Sequence, residues 1–86
     1  MTEEEFRALQ RRGEGARAIL ESEEAQACFA EVEAALMRAW ADTRPWRGRK
    51  REQFYAEMRG LRALKARLTA VAQDARYERR RHHEKL

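Results

Sequence analysis

The sequence predicts an all-α protein: a long antiparallel helical hairpin preceded by a short N-terminal helix. Three observations carry that expectation. Ala, Glu, Arg and Leu dominate, all strong helix formers, whereas proline occurs once and glycine four times. Apolar residues recur at alternating three- and four-residue spacing through two long segments, which is the period of an amphipathic helix. Between those segments lies WADTRPWRGRKRE, residues 40 to 52, which holds the only proline and interrupts the period.

The first helix opens at Thr2. Thr2 with Glu5 fits a capping box, and Met1 with Phe6 is spaced as a hydrophobic staple. Glu3, Glu4 and Glu5 fall where a helix N-terminus favours negative charge. Phe6, Leu9, Gly13, Ala16 and Leu20 keep the spacing, giving a helix over about 3–20. Gly13 and Gly15 each weaken it by roughly 1 kcal/mol relative to alanine, so a bend at that point is the alternative.

Ser22 is the next N-cap, followed by Glu23 and Glu24 in the first turn. Ala25, Phe29, Val32, Leu36, Ala39 and Thr43 then trace one stripe, widened by Cys28, Ala35 and Trp40, and predict a helix over about 23–42. Pro45 disfavours helical geometry at Arg44, and Gly48 follows. The third helix is expected over about 50–78, with Phe54, Met58, Leu61, Leu64, Leu68, Val71 and Ala75 on one face. Residues 1–78 then form a single helical domain in which the N-terminal segment covers one side of the hairpin. Residues 79–86 form a basic C-terminal tail, which is expected to fray.

A chain of 86 residues buries only about 60% of its unfolded surface, so its core is marginal without help. One cysteine, Cys28, excludes an internal disulfide, and no Cys/His cluster offers a structural zinc. Oligomerisation or docking on a partner is the remaining source of stability. No apolar run approaches about 18 residues, and the acidic opening MTEEEF lacks a following apolar core. A soluble intracellular protein with no membrane contact is expected.

Catalysis needs convergent groups, and the sequence supplies none. His82 and His83 fall in the tail, Cys28 reads as a small buried hydrophobe, and Glu23–Glu24 and Glu31–Glu33 are helix-surface acids. The expectation is a non-catalytic protein with no cofactor, metal or small-molecule substrate.

Charge is divided unevenly. Residues 1–43 carry five Arg against ten Asp and Glu, a net of −5, and residues 44–86 carry fourteen Lys and Arg against five Asp and Glu, a net of +9. The two halves attract each other in a folded pair, or the basic half meets an acidic polymer. In an antiparallel hairpin Glu31 and Glu33 come alongside Arg59 and Arg62, and Glu23 and Glu24 approach Arg67. Arg44, Arg47, Arg49, Lys50 and Arg51 have only Asp42 and Glu52 nearby. Arg76, Arg79, Arg80 and Arg81 form a second cluster that the N-terminal acids can reach. Trp46, between Pro45 and Arg47, either folds back to cap the hairpin or stands exposed as a contact.

Two sets of candidate contact residues follow. Arg44, Trp46, Arg47, Arg49, Lys50, Arg51, Arg76, Arg79, Arg80 and Arg81 are candidates for a partner or for phosphate. Phe29, Val32, Leu36, Trp40, Phe54, Met58, Leu61, Leu64 and Leu68 are candidates for helix packing or an interface.

Arg12, Gly13, Ala16, Ile19 and Leu20 are followed by an acidic helix ending in W-x-x-T at Trp40 and Thr43. Arg51 and Glu52 then open a helix carrying Leu61, Leu64 and Leu68. Over most of residues 6–72 this pattern resembles small helical proteins encoded in tailed-bacteriophage genomes near head and packaging genes. The basic connection and tail depart from it. The resemblance implies a virion-assembly or accessory role in the bacterial host cytoplasm or the virion, and it carries over no functional residue. The expected partner is protein, either self or a larger phage or host protein. Nucleic-acid binding, or inhibition of a host protein, is the alternative.

Overall fold

The computed structural model of the chain describes residues 1–85 and contains three helices. These are α1 (Glu3–Glu21), α2 (Glu23–Asp42) and α3 (Gly48–Lys85), and no strand occurs among the described residues. At 1.5 Å per residue α3 is about 57 Å long, close to the 61 Å longest dimension of the molecule. The other two dimensions are 24 and 18 Å, so the fold is a rod two helices thick.

α2 returns antiparallel to α3, as the contacts Trp40–Arg51, Glu33–Arg62 and Phe29–Lys65 require. α1 does not cover the side of this hairpin. It continues beyond α2 along the C-terminal half of α3, where Gly13 meets Ala75, Glu14 meets Arg79 and Phe6 stacks on His82. α1 and α2 therefore make one acidic arm against a single basic arm, α3. Net charges of −5 and +9 on the two halves of the sequence lie side by side along the rod.

Ser22 breaks the acidic arm in one extended residue (φ −74°, ψ 121°) and serves both helices. Its N–H donates to the Ile19 carbonyl, and its hydroxyl accepts from the Ala25 N–H. Gln26 donates to the Leu20 carbonyl at 3.1 Å, satisfying another group at the end of α1. The capping box at Thr2 forms in both directions with Glu5.

α1 runs unbroken through Gly13 and Gly15. Gly13 is buried, and a Cβ there would clash with Ala75 Cβ, so the glycine is the means by which the two arms approach. Close approach compensates the helix propensity that glycine lacks. The seam continues past the expected end of the third helix. Phe54, Met58, Leu61, Lys65, Leu68, Ala72 and Ala75 are all at least half-buried at three-four spacing, and His82 remains half-buried. This repeat keeps one face of a long helix turned to its partner. α3 thus runs on to Lys85 rather than ending near residue 78, and Leu86 lies outside the described residues.

The core is thin. Gly13, Ala16, Met58, Val71 and Ala75 are the buried residues of the described chain. Seven of the large apolar residues that stay exposed are Ile19, Val32, Met37, Trp40, Tyr55, Leu64 and Tyr77.

Candidate functional site

The hairpin end is built around Arg51. Its guanidinium donates to the Thr43 carbonyl at 2.8 Å and lies 4.0 Å from the centre of the Trp40 ring. Thr43 Oγ1 in turn donates to the Ala39 carbonyl at 2.6 Å. α2 has no basic residue in its own last turn, so Arg51 supplies from α3 the cation that a helix C-terminus favours. Arg51 is half-buried and structural, which separates it from its neighbours.

Arg44, Arg47, Arg49 and Lys50 are exposed, and none forms an ion pair among the described residues. No acidic residue lies in the first turn of α3 to offset them. Trp46 does not fold back over the hairpin: it is 73% exposed, with the Arg44 guanidinium 5.3 Å from its ring centre. Pro45 and Trp46 form the turn itself, and Trp46 borders an open recess with Asp42, Thr43, Lys50 and Phe54.

The second basic cluster divides in the same way. Arg79 bonds Gln10 at 3.2 Å and pairs with Glu14 at 3.5 Å, while Gln10 donates to the Ala75 carbonyl at 2.7 Å. Arg81 pairs with Glu78 at 3.5 Å and lies over Tyr77. Arg76 and Arg80 are exposed without an ion pair among the described residues. Gln10 and Glu14 have no place in the apolar period, and only the topology of α1 on α3 brings them to Arg79. Phe6 stacks on His82 with ring centres 4.3 Å apart, a contact that likewise depends on α1 lying along α3.

The candidate packing residues separate by exposure. Met58 is buried, and Phe29, Leu36, Phe54, Leu61 and Leu68 are half-buried in the seam. Val32 and Leu64 are half exposed, at 50% and 52%, and Trp40 stays accessible beside Met37 and Tyr55 along a shallow apolar groove. Cys28 is exposed, not buried: one residue from Phe29, it turns about 100° away from α3.

Glu33 pairs with Arg62 at 3.9 Å as the antiparallel hairpin requires, whereas Glu23, Glu24 and Arg67 form no ion pair among the described residues. No three His, Cys, Asp or Glu side chains converge on one point among the described residues. No described helix is long and apolar enough to cross a membrane. The arrangement offers helix flanks and a cationic end as its chemistry. Compared with protein-family models, curated proteins and solved structures, the chain matches none.

Proposed function

We infer that this chain is a non-catalytic helical interaction protein whose rod is completed by packing against protein, a second copy or a larger partner. The observation that carries this reading is the surface the chain leaves uncovered. A compact monomer of 10.2 kDa exposes about 5,300 Å² and has a radius of gyration of about 12 Å. This chain exposes 6995 Å² and has a radius of 18.1 Å. The resemblance to tailed-phage helical proteins supports a structural or virion-assembly role for such a rod.

Chemical unfolding of the isolated chain tests the reading. The expected result is a stability below the roughly 5 kcal/mol at the low end for self-sufficient domains. It should rise with protein concentration or with an added partner. A stability of 5 kcal/mol or more at about 1 μM, independent of concentration, would show a rod that needs nothing else.

One observation favours a second reading, in which the hairpin end contacts nucleic-acid phosphate: Arg44, Arg47, Arg49 and Lys50 are exposed and unpaired among the described residues. Each such contact on duplex DNA contributes roughly −0.9 to the slope of log K against log salt. Replacing all four by alanine should flatten that slope by about three to four units, and an unchanged slope excludes this surface.

A further inference from the structure

The seam divides the rod into two unlike flanks. One carries the Glu33–Arg62 pair and a recess rimmed by Gln10, Glu14, Arg17 and Arg76 over an apolar floor, with the Met37–Tyr55 groove at its hairpin end. On the other flank, at about 100° per residue, Cys28, Val32, Ala35 and Ala39 form a second line beside the seam of α2. Ile19 extends that flank on α1 and Leu64 on α3, with open space beside Gly60 one turn away.

We propose that this apolar flank binds a second copy of the chain, the two rods lying side by side with their two-fold axis along their length. The proposal rests on the reading of the chain as a docking rod and names its partner and face. Charge selects the copy and its orientation. An axis along the rod lays each acidic arm, α1 with α2, on the basic α3 of the other copy, and every neighbouring helix is antiparallel. An axis across the rod would stack acidic arm on acidic arm. The four helices then form a bundle in which each face is self-complementary, as a two-fold interface requires.

Such an axis preserves height along the rod, so the contacts within one chain fix the register between two. Glu33–Arg62 and Phe29–Lys65 place Val32 level with residues 61 to 64, and therefore beside Leu61 and Leu64 of the second copy. Glu24 falls near the height of Arg67, and Arg12 near that of Asp74, given the Gly13–Ala75 approach. All four charged residues are exposed, and none has an ion-pair partner among the described residues of its own chain. Across the two-fold axis they form Glu24–Arg67 and Arg12–Asp74 pairs, each twice. The area suffices: a standard interface takes about 800 Å² from each partner, roughly half of this chain's excess of about 1,700 Å².

Sedimentation equilibrium of the full chain at tens of micromolar tests the proposal. Wild type should have about twice the 10.2 kDa chain mass. Leu64→Lys should give a helical monomer, because Leu64 is half exposed within one chain. Arg67→Glu and Glu24→Arg should each raise the dimer dissociation constant about tenfold, since each disrupts two pairs, and the double variant should restore it. A wild-type dimer indifferent to Leu64→Lys and to both charge reversals overturns the proposal by placing the contact elsewhere. A wild-type monomer of low stability overturns it and leaves docking on another protein standing. A monomer stable on its own overturns both.

Discussion

Gly13 shows how one residue sets the spacing between two helices. Its hydrogen occupies the place where a methyl group would strike Ala75. Gly13→Ala gains about 1 kcal/mol of helix propensity but overpacks the seam by about 1–3 kcal/mol. The net effect should be a lower denaturant midpoint. Gly15 meets nothing within 4 Å, so Gly15→Ala should raise the midpoint instead. Equal effects at the two positions would mean that α1 does not sit on Ala75. Met58 and Leu64 make a similar contrast, at 7% and 52% exposure. Met58→Ala should cost about 2–4 kcal/mol and Leu64→Ala under about 1 kcal/mol in the dilute chain, read from chemical unfolding. The apolar period assigned both to the helix face, but period alone does not distinguish the centre of a stripe from its edge. Cys28 lies at the edge of the same period and is exposed for that reason.

At the scale of elements, helix starts were legible because capping is local. Thr2, Glu5 and Ser22 lie within four residues of the groups they satisfy. Ser22→Ala should therefore cost about 1 kcal/mol through the loss of the α2 cap, seen as a drop in thermal midpoint. The extent of α3 was not legible, because Arg79 and His82 are polar by composition and become seam residues only when α1 lies opposite. Arg51 is similar. Its role comes from the carbonyl of Thr43 and the ring of Trp40, both in a different element. Arg51→Ala should lower stability by about 1–2 kcal/mol, and Arg51→Lys should recover only part, since an ammonium reproduces neither the planar donor nor the stacking. Full recovery in Arg51→Lys would show that charge alone matters there.

Over the whole molecule, the arms attract by charge while the hairpin end repels itself. Arg44, Arg47, Arg49 and Lys50 crowd the start of α3, where the helix macrodipole is also positive, and no acidic residue of its first turn offsets them. Exposed charges of this kind add at most about a few tenths of a kcal/mol each, and here the sign is unfavourable. Replacing the four by alanine, with Arg51 kept, should leave the thermal midpoint unchanged or slightly raised at low salt. The gap between variant and wild type should narrow as ionic strength rises, because the Debye length falls from about 30 Å at 0.01 M to about 8 Å at 0.15 M. A variant that melts lower, by an amount salt does not change, would show that these side chains hold the turn through packing. Including Arg51→Ala in the same variant should reverse the result, because that change removes the bond to Thr43 and the contact with Trp40 that join α3 to the end of α2.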